Sequence, residues 1–243
     1  MTGADAALLI AAGLGAGFLN VVAGGGSLLT LPALLACGVP ATVANGSNRI
    51  AILASTTTAT GSYIRNGTEL GLGDRWLVVP LLLGALTGAA AATRLSNDQM
   101  ETTIGLVMLA MAGWMLSGQS VQTLSVAGKG WRGLGACVAG VYGGFIQAGV
   151  GVVLLAVLSN LFGRSLQQAN AAKVALVAVY TVPILCVFAL AGQVDVVAGC
   201  TLAVGTTIGA QLGVRVVTYV DERILRIVIV ALVTASGIWV LVR

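Results

Sequence analysis

The chain contains no histidine, and only 8% of its 243 residues are charged. The first absence removes the commonest metal ligand and the side chain most often used for proton transfer near neutral pH. Four cysteines (Cys37, Cys137, Cys186 and Cys200) show no CxxC or other ligand spacing, and they serve as small, soft packing residues. The carboxylates Glu69, Asp74, Asp98, Glu101, Asp195, Asp221 and Glu222 all fall in loops or at segment ends. No metal site, cofactor site or nucleophile–base pair can be assembled from this set, so the chain does not read as an enzyme. The scarcity of charge also excludes a water-soluble fold. With 58% hydrophobic residues and a mean hydropathy of +1.01, there is too little polar surface to cover a globular domain. The net charge of +4 implies no nucleic-acid partner, since membrane orientation accounts for its sign.

What the chain has instead is apolar runs of about 20 residues, each enough to cross a ~30 Å hydrocarbon core. They fall near 5–37 (long and broken), 42–64, 76–94, 99–117, 131–162 (long and broken), 167–191, 196–215 and 222–242. The expected fold is an all-α polytopic membrane protein with about eight hydrophobic segments. The N-terminus is similar to a signal peptide, but Asp5 precedes the apolar run and no Lys or Arg does, so the run reads as mature protein.

The segments form two related halves. Gly17-Phe18-Leu19-Asn20 and Gly24-Gly25-Gly26-Ser27 return in looser form as Gly144-Phe145-Ile146-Gln147 and Gly149-Val150-Gly151. Downstream, Gly38, Asn45 and Asn48 match Gly163, Asn170 and Lys173 at a constant offset. Gly84, Gly88, Arg94 and Glu101 likewise match Gly205, Gly209, Arg215 and Glu222. The boundaries are 1–118 for the first transmembrane repeat, 119–130 for a connector and 131–243 for the second repeat. If every segment spans, loop and terminal basic residues divide evenly between the two sides and give no orientation. If each broken segment is instead a re-entrant hairpin, the halves become inverted repeats. Arg65, Arg75, Lys129, Arg132, Arg164, Arg215, Arg223 and Arg226 then share one side, against Arg94 and Arg243 on the other. The positive-inside rule favours that arrangement, with both termini outside the cytoplasm.

Irregular backbone at membrane depth survives only where it is buried in protein or lines a cavity. Gly24-Gly25-Gly26 permits φ > 0 and close approach, and Ser27 is the expected N-cap of a short helix reaching mid-membrane. Its free N–H groups and positive dipole end offer an anion site, with Gly149 and Gly151 offering the same in the second half. Gly84/Gly88 and Gly205/Gly209 read as helix-packing glycines, and such faces suit a homodimer as well as internal packing. Arg49 and Lys173 are the two basic side chains well inside the spans, where a charge costs roughly 2.5–3.5 kcal/mol at a helix centre. No acidic residue lies at comparable depth, so a small anionic substrate is the economical partner. Asn20, Asn45, Asn48, Gln147 and Asn170 occur at or near repeat-related positions and supply neutral hydrogen bonds.

These residues carry a resemblance. Gly17-Phe18 leading into Gly24-Gly25-Gly26-Ser27-Leu28 and Pro32, then Ala44-Asn45-Gly46-Ser47 and the degenerate second half, resemble the sulfite exporter TauE/SafE family over essentially the whole chain. The second half departs from the pattern, with a weakened glycine block and Val157 where Pro32 has its counterpart. The resemblance implies a bacterial inner-membrane transporter for small sulfur-containing anions such as sulfite or sulfoacetate. The expected mechanism is alternating access about a midplane site between the repeats. With no buried Asp, Glu or His as a proton relay, the expectation is an electrogenic uniporter-like exporter, and an anion channel is the alternative.

Overall fold

The computed structural model describes residues 1–22, 25–70, 72, 74–116, 128–216 and 222–242. Among them are ten α-helices: α1 (Gly3–Val22), α2 (Ser27–Ala36), α3 (Ala41–Arg65), α4 (Arg75–Ala92), α5 (Asn97–Leu116), α6 (Lys129–Phe145), α7 (Val150–Asn160), α8 (Leu166–Leu190), α9 (Val196–Val216) and α10 (Glu222–Val242). The chain is an all-α polytopic membrane protein, and α1, α8 and α9 each contain a stretch long and apolar enough to cross a bilayer. Most of the expected connector at 119–130 lies outside the described residues.

Both broken segments are hairpins. Cys37, just past α2, donates its thiol to the Asp5 carbonyl at the start of α1 (3.8 Å), so α2 returns to the side from which α1 set out. In the second half, Val157 and Leu161 at the end of α7 pack against Gly135 near the start of α6. With 10 residues, α2 is about 15 Å long and begins at mid-depth. Its start abuts Ala16 and Asn20, where a Cβ on Gly26 would fall 2.3 Å from the Ala16 carbonyl oxygen.

Close helix contacts follow the glycines and are exchanged between halves. Gly205 and Gly209 of α9 press on Ile10, Leu14 and Phe18 of α1, while Gly13 and Gly17 press back on Leu202 and Thr206. Gly84 and Gly88 of α4 meet Cys137, Val141 and Phe145 of α6, with Gly140 and Gly144 returning the contact to Leu81 and Ala85. Residue numbers rise together in both pairs, so each pair runs parallel. The first helix of each half thus packs on the fourth helix of the other.

Directions in the remaining pairs are opposite. Tyr63 of α3 meets Asn170 of α8, and Arg49 meets Phe188, so α3 and α8 are antiparallel. Gly105 against Leu241 and Gly237 against Leu109 make α5 and α10 antiparallel too. Repeat-equivalent helices therefore point in opposite directions, which makes the halves inverted repeats. Loops group accordingly. Thr42 meets Asn97 and Gln193 meets Thr93 on one face, while Arg164 reaches the Leu70 carbonyl on the other. Arg65, Arg75, Lys129, Arg132, Arg164, Arg215, Arg223 and Arg226 all belong to the second face; Arg94 belongs to the first, and Arg243 lies outside the described residues.

Matching helix ends share backbone conformation. Gly38 and Gly163 (φ 78° and 65°) close α2 and α7, while Gly67 and Gly192 (φ 73° and 70°) close α3 and α8. A left-handed residue just past a helix turns the next N–H back onto the last carbonyls, as in Thr68 N to Tyr63 O and Gln193 N to Phe188 O (both 3.0 Å).

A Cβ on Gly88 would fall 2.1 Å from the Val141 carbonyl oxygen, and one on Gly209 2.0 Å from that of Leu14. Gly88→Val and Gly209→Val are expected to abolish monodisperse protein in size-exclusion chromatography, because the helices must move apart. Gly113→Ala, with open space around it, is expected to leave the yield unchanged.

Candidate functional site

The first helix of the second hairpin, α6, stops at Phe145, and Ile146 is already extended (φ −140°, ψ 127°). A helix end leaves its last carbonyls without intrahelical donors, and in hydrocarbon each such group costs several kcal/mol. Side chains from α3 supply the donors. Arg49 Nη1 donates to the Gly143 carbonyl (2.6 Å) and to Gln147 Oε1 (2.8 Å). Arg49 Nη2 donates to the Gly144 carbonyl (2.8 Å), and Asn45 Nδ2 donates to Phe145 (2.9 Å). The guanidinium also lies 5.1 Å from the centre of the Phe188 ring. The negative end of the α6 dipole is thus a built-in partner for the cation that the sequence leaves without a carboxylate.

The first hairpin is treated the same way by the other half. Lys173 Nζ of α8 donates to the Asn20 carbonyl (3.0 Å), and Asn170 Nδ2 donates to the Val21 carbonyl (2.8 Å) and to the Tyr63 hydroxyl (3.0 Å). Each half therefore caps the broken helix of its counterpart with an Asn and a basic residue. Arg49 and Lys173 are 0% and 1% exposed, so neither snorkels outward.

The predicted site residues fall into two groups. Asn45, Arg49 and Gln147 come together on one side of mid-depth; Asn20, Asn170 and Lys173 come together on the other. Given the Tyr63–Asn170 and Arg49–Phe188 pairings, the two basic residues sit roughly 15–20 Å apart along the α3/α8 pair at 1.5 Å per residue. The glycine loops do approach: a Cβ on Gly149 would lie 3.9 Å from the Leu28 side chain at the start of α2. Gly25, Gly26, Ser27 and Gly151 are buried beside these helix starts, and Gly24 lies outside the described residues.

Two local expectations are corrected. Ser27 is not an N-cap: Gly26 holds that position with helical angles (φ −54°, ψ −40°) and no side-chain cap is made. Neither Gly25 nor Gly26 has positive φ; Gly149, the N-cap of α7, does (φ 72°). Gly26 is required for close approach to α1, and among the described residues of the two loops the left-handed one is Gly149.

Several buried polar atoms in the Arg49 region have no partner among the described residues: both side-chain polar atoms of Asn48, Nε of Arg49 and the hydroxyl of Tyr180. Gln147 Nε2 reaches Thr181 Oγ1 at 3.5 Å. Tyr63, Tyr180, Thr181 and Phe188 were not foreseen from the sequence. Lys173, Val177, Tyr180, Ile184 and Phe188 fall on one buried α8 stripe at helical spacing, a periodicity that could have pointed to Tyr180 and Phe188.

Arg49→Met removes the donor from two helix-terminal carbonyls and Gln147, each lost partner costing about 1–3 kcal/mol. Its melting temperature in detergent is expected to fall well below wild type. Lys173→Met loses one hydrogen bond together with a buried charge, so its melting temperature is expected to stay within a few degrees. Equal losses in the two variants would show that the caps are energetically equivalent.

Comparison with known proteins gives a family and several relatives. Residues 9–240 match the family described as Sulfite exporter TauE/SafE. The probable membrane transporter protein YfcA of Escherichia coli (strain K12) is 28% identical over 229 residues, covering 91% of this chain and 84% of that protein. A probable membrane transporter protein of Haemophilus influenzae is 26% identical over 231 residues, covering 92% and 89%. The probable membrane transporter protein ORF9 of Sinorhizobium sp is 34% identical over 110 residues, 44% of this chain and 41% of that protein. No solved structure matches the chain. Two inverted, cross-capped halves and a family match from residue 9 to residue 240 establish that the chain belongs to the TauE/SafE family of membrane transporters.

Proposed function

We propose that the protein carries small sulfur-containing oxyanions, sulfite or organosulfonates such as sulfoacetate, out of the cell by alternating access between its repeats. The observation that carries this reading is Arg49: a fully buried cation whose Nε has no acceptor among the described residues, next in sequence to Asn48, whose two side-chain polar atoms likewise have no partner among them. Oxyanions accept from such donors, and the nearby start of α7 adds a positive dipole end. By sequence position the acidic residues all lie near helix ends or in loops, and among the described residues none lies at the depth of Arg49.

The two caps offer a physical basis for alternation. One lies on each side of mid-depth, and each joins a broken helix of one half to a central helix of the other. Loosening one opens a path on its side while the other stays closed. The face bearing eight basic residues is assigned to the cytoplasm of a bacterial inner membrane, with both termini outside. Outward movement of an anion then gains ~2.3 kcal/mol per charge per 100 mV, with no side-chain proton relay required.

In proteoliposomes with a set potential, saturable flux of sulfite or sulfoacetate is expected to exceed that of sulfate and chloride and to follow the potential. Asn48→Ala is expected to lower it about tenfold, the loss of one hydrogen bond to an anion. Non-saturable flux without counter-transport would replace the carrier by a channel, and flux of none of these anions would sink the substrate class.

A further inference from the structure

We infer that the Tyr180 hydroxyl is a substrate-recognition group of the Arg49 site, donating a hydrogen bond to an oxygen of the bound anion. The assignment rests on the anion-carrier reading above and names a contact that reading does not contain.

Tyr180 lies on α8, where its side chain is 1% exposed. Its hydroxyl has no hydrogen-bond partner among the described residues. The group is aimed at the same turn of α6 that Arg49 grips: a Cβ on Gly143 would lie 2.9 Å from the hydroxyl oxygen, and the Gly143 carbonyl accepts from Arg49. The hydroxyl approaches the Gln147 side chain without reaching hydrogen-bond geometry. Gln147 instead accepts from Arg49 and donates toward Thr181, so it is already engaged on both sides.

Packing alone does not account for the hydroxyl. A phenyl ring would fill the space, and a buried tyrosine ordinarily finds a partner because an unpaired hydroxyl in an apolar interior is costly. Nor is the gap an isolated one. Arg49, whose guanidinium grips the same turn of α6, likewise has its Nε without an acceptor among the described residues. The two groups offer an O–H and an N–H donor beside a positive charge. An oxyanion accepts from both and is drawn by the charge, which a neutral water is not. The neutral phenol adds a directional donor, and so favours anions with a strongly accepting oxygen over a halide.

Tyr180→Phe keeps the ring and removes the hydroxyl. In proteoliposomes the variant is expected to lose about 10–100-fold in kcat/KM for sulfite or sulfoacetate, while residual chloride flux changes less than threefold. Its melting temperature in detergent is expected to equal or exceed wild type, because an unpaired buried hydroxyl has been removed. Unchanged oxyanion flux overturns the assignment and leaves the carrier intact. A fall in melting temperature together with uniform loss for every anion also overturns it, since the hydroxyl would then be structural. A wild-type protein that carries no oxyanion and is not thermally stabilised by sulfite removes the carrier reading and this contact with it.

Discussion

A helix that stops inside a bilayer must have its last carbonyls met by protein, and the rest of this structure follows from that requirement. Neither hairpin meets it alone. The Gly143, Gly144 and Phe145 carbonyls are reached from α3, and those of Asn20 and Val21 from α8. Because the donors come from the opposite half, backbone chemistry that is usually local becomes the bond between the two repeats. The same requirement explains why α3 tolerates Asn45, Asn48 and Arg49 in succession: α1, α2, α5, α8 and α9 all pack on it and keep it from lipid.

The site is what remains after that requirement is met. A guanidinium has five donors in a rigid fork; helix ends, Gln147 and Asn45 occupy those of Nη1 and Nη2, while Nε has no acceptor among the described residues. Lys173 presents a compact ammonium at the related position of the other half and makes a single hydrogen bond to Asn20. Two ends that began as copies have thus become unequal. Their cations are neutralised by helix termini rather than carboxylates, and a half-charge on a helix end leaves a positive remainder that fixed acids would have erased.

The sequence made most of the scaffold legible. Apolar length gave the spans, matched glycines gave the two halves, and the distribution of basic residues favoured hairpins over eight crossings. These are local or compositional signals. Partner choice was not legible: nothing in Gly13 and Gly17 says that they meet Leu202 and Thr206 rather than a neighbouring helix. The triple glycine was read as permitting both positive φ and close approach, and at Gly26 close approach to Ala16 and Asn20 is the property used. Arg49 and Lys173 stood out as charges in apolar runs, but that they engage separate helix ends depends on the α3/α8 register. Tyr180 escaped notice because a tyrosine in an apolar helix looks like packing until its hydroxyl is seen to have no partner.

The exchanged packing of the first helices sets an order on biosynthesis. The α4/α6 pair closes early, since α6 follows α4 after one further helix. Helix α1 waits for α9, whose first residue is about 170 residues beyond Val22. At roughly 5–20 residues per second, that interval is on the order of 10–35 s. Throughout it, the glycine ridge of α1 faces lipid or the insertion machinery rather than α9, and the carbonyls of Asn20 and Val21 stay open until α8 is made. Helix α1 is made long before the helices that complete its packing, so a ribosome that stalls before α8 leaves behind a nascent chain with an unsatisfied helix end that the cell's quality control can recognise.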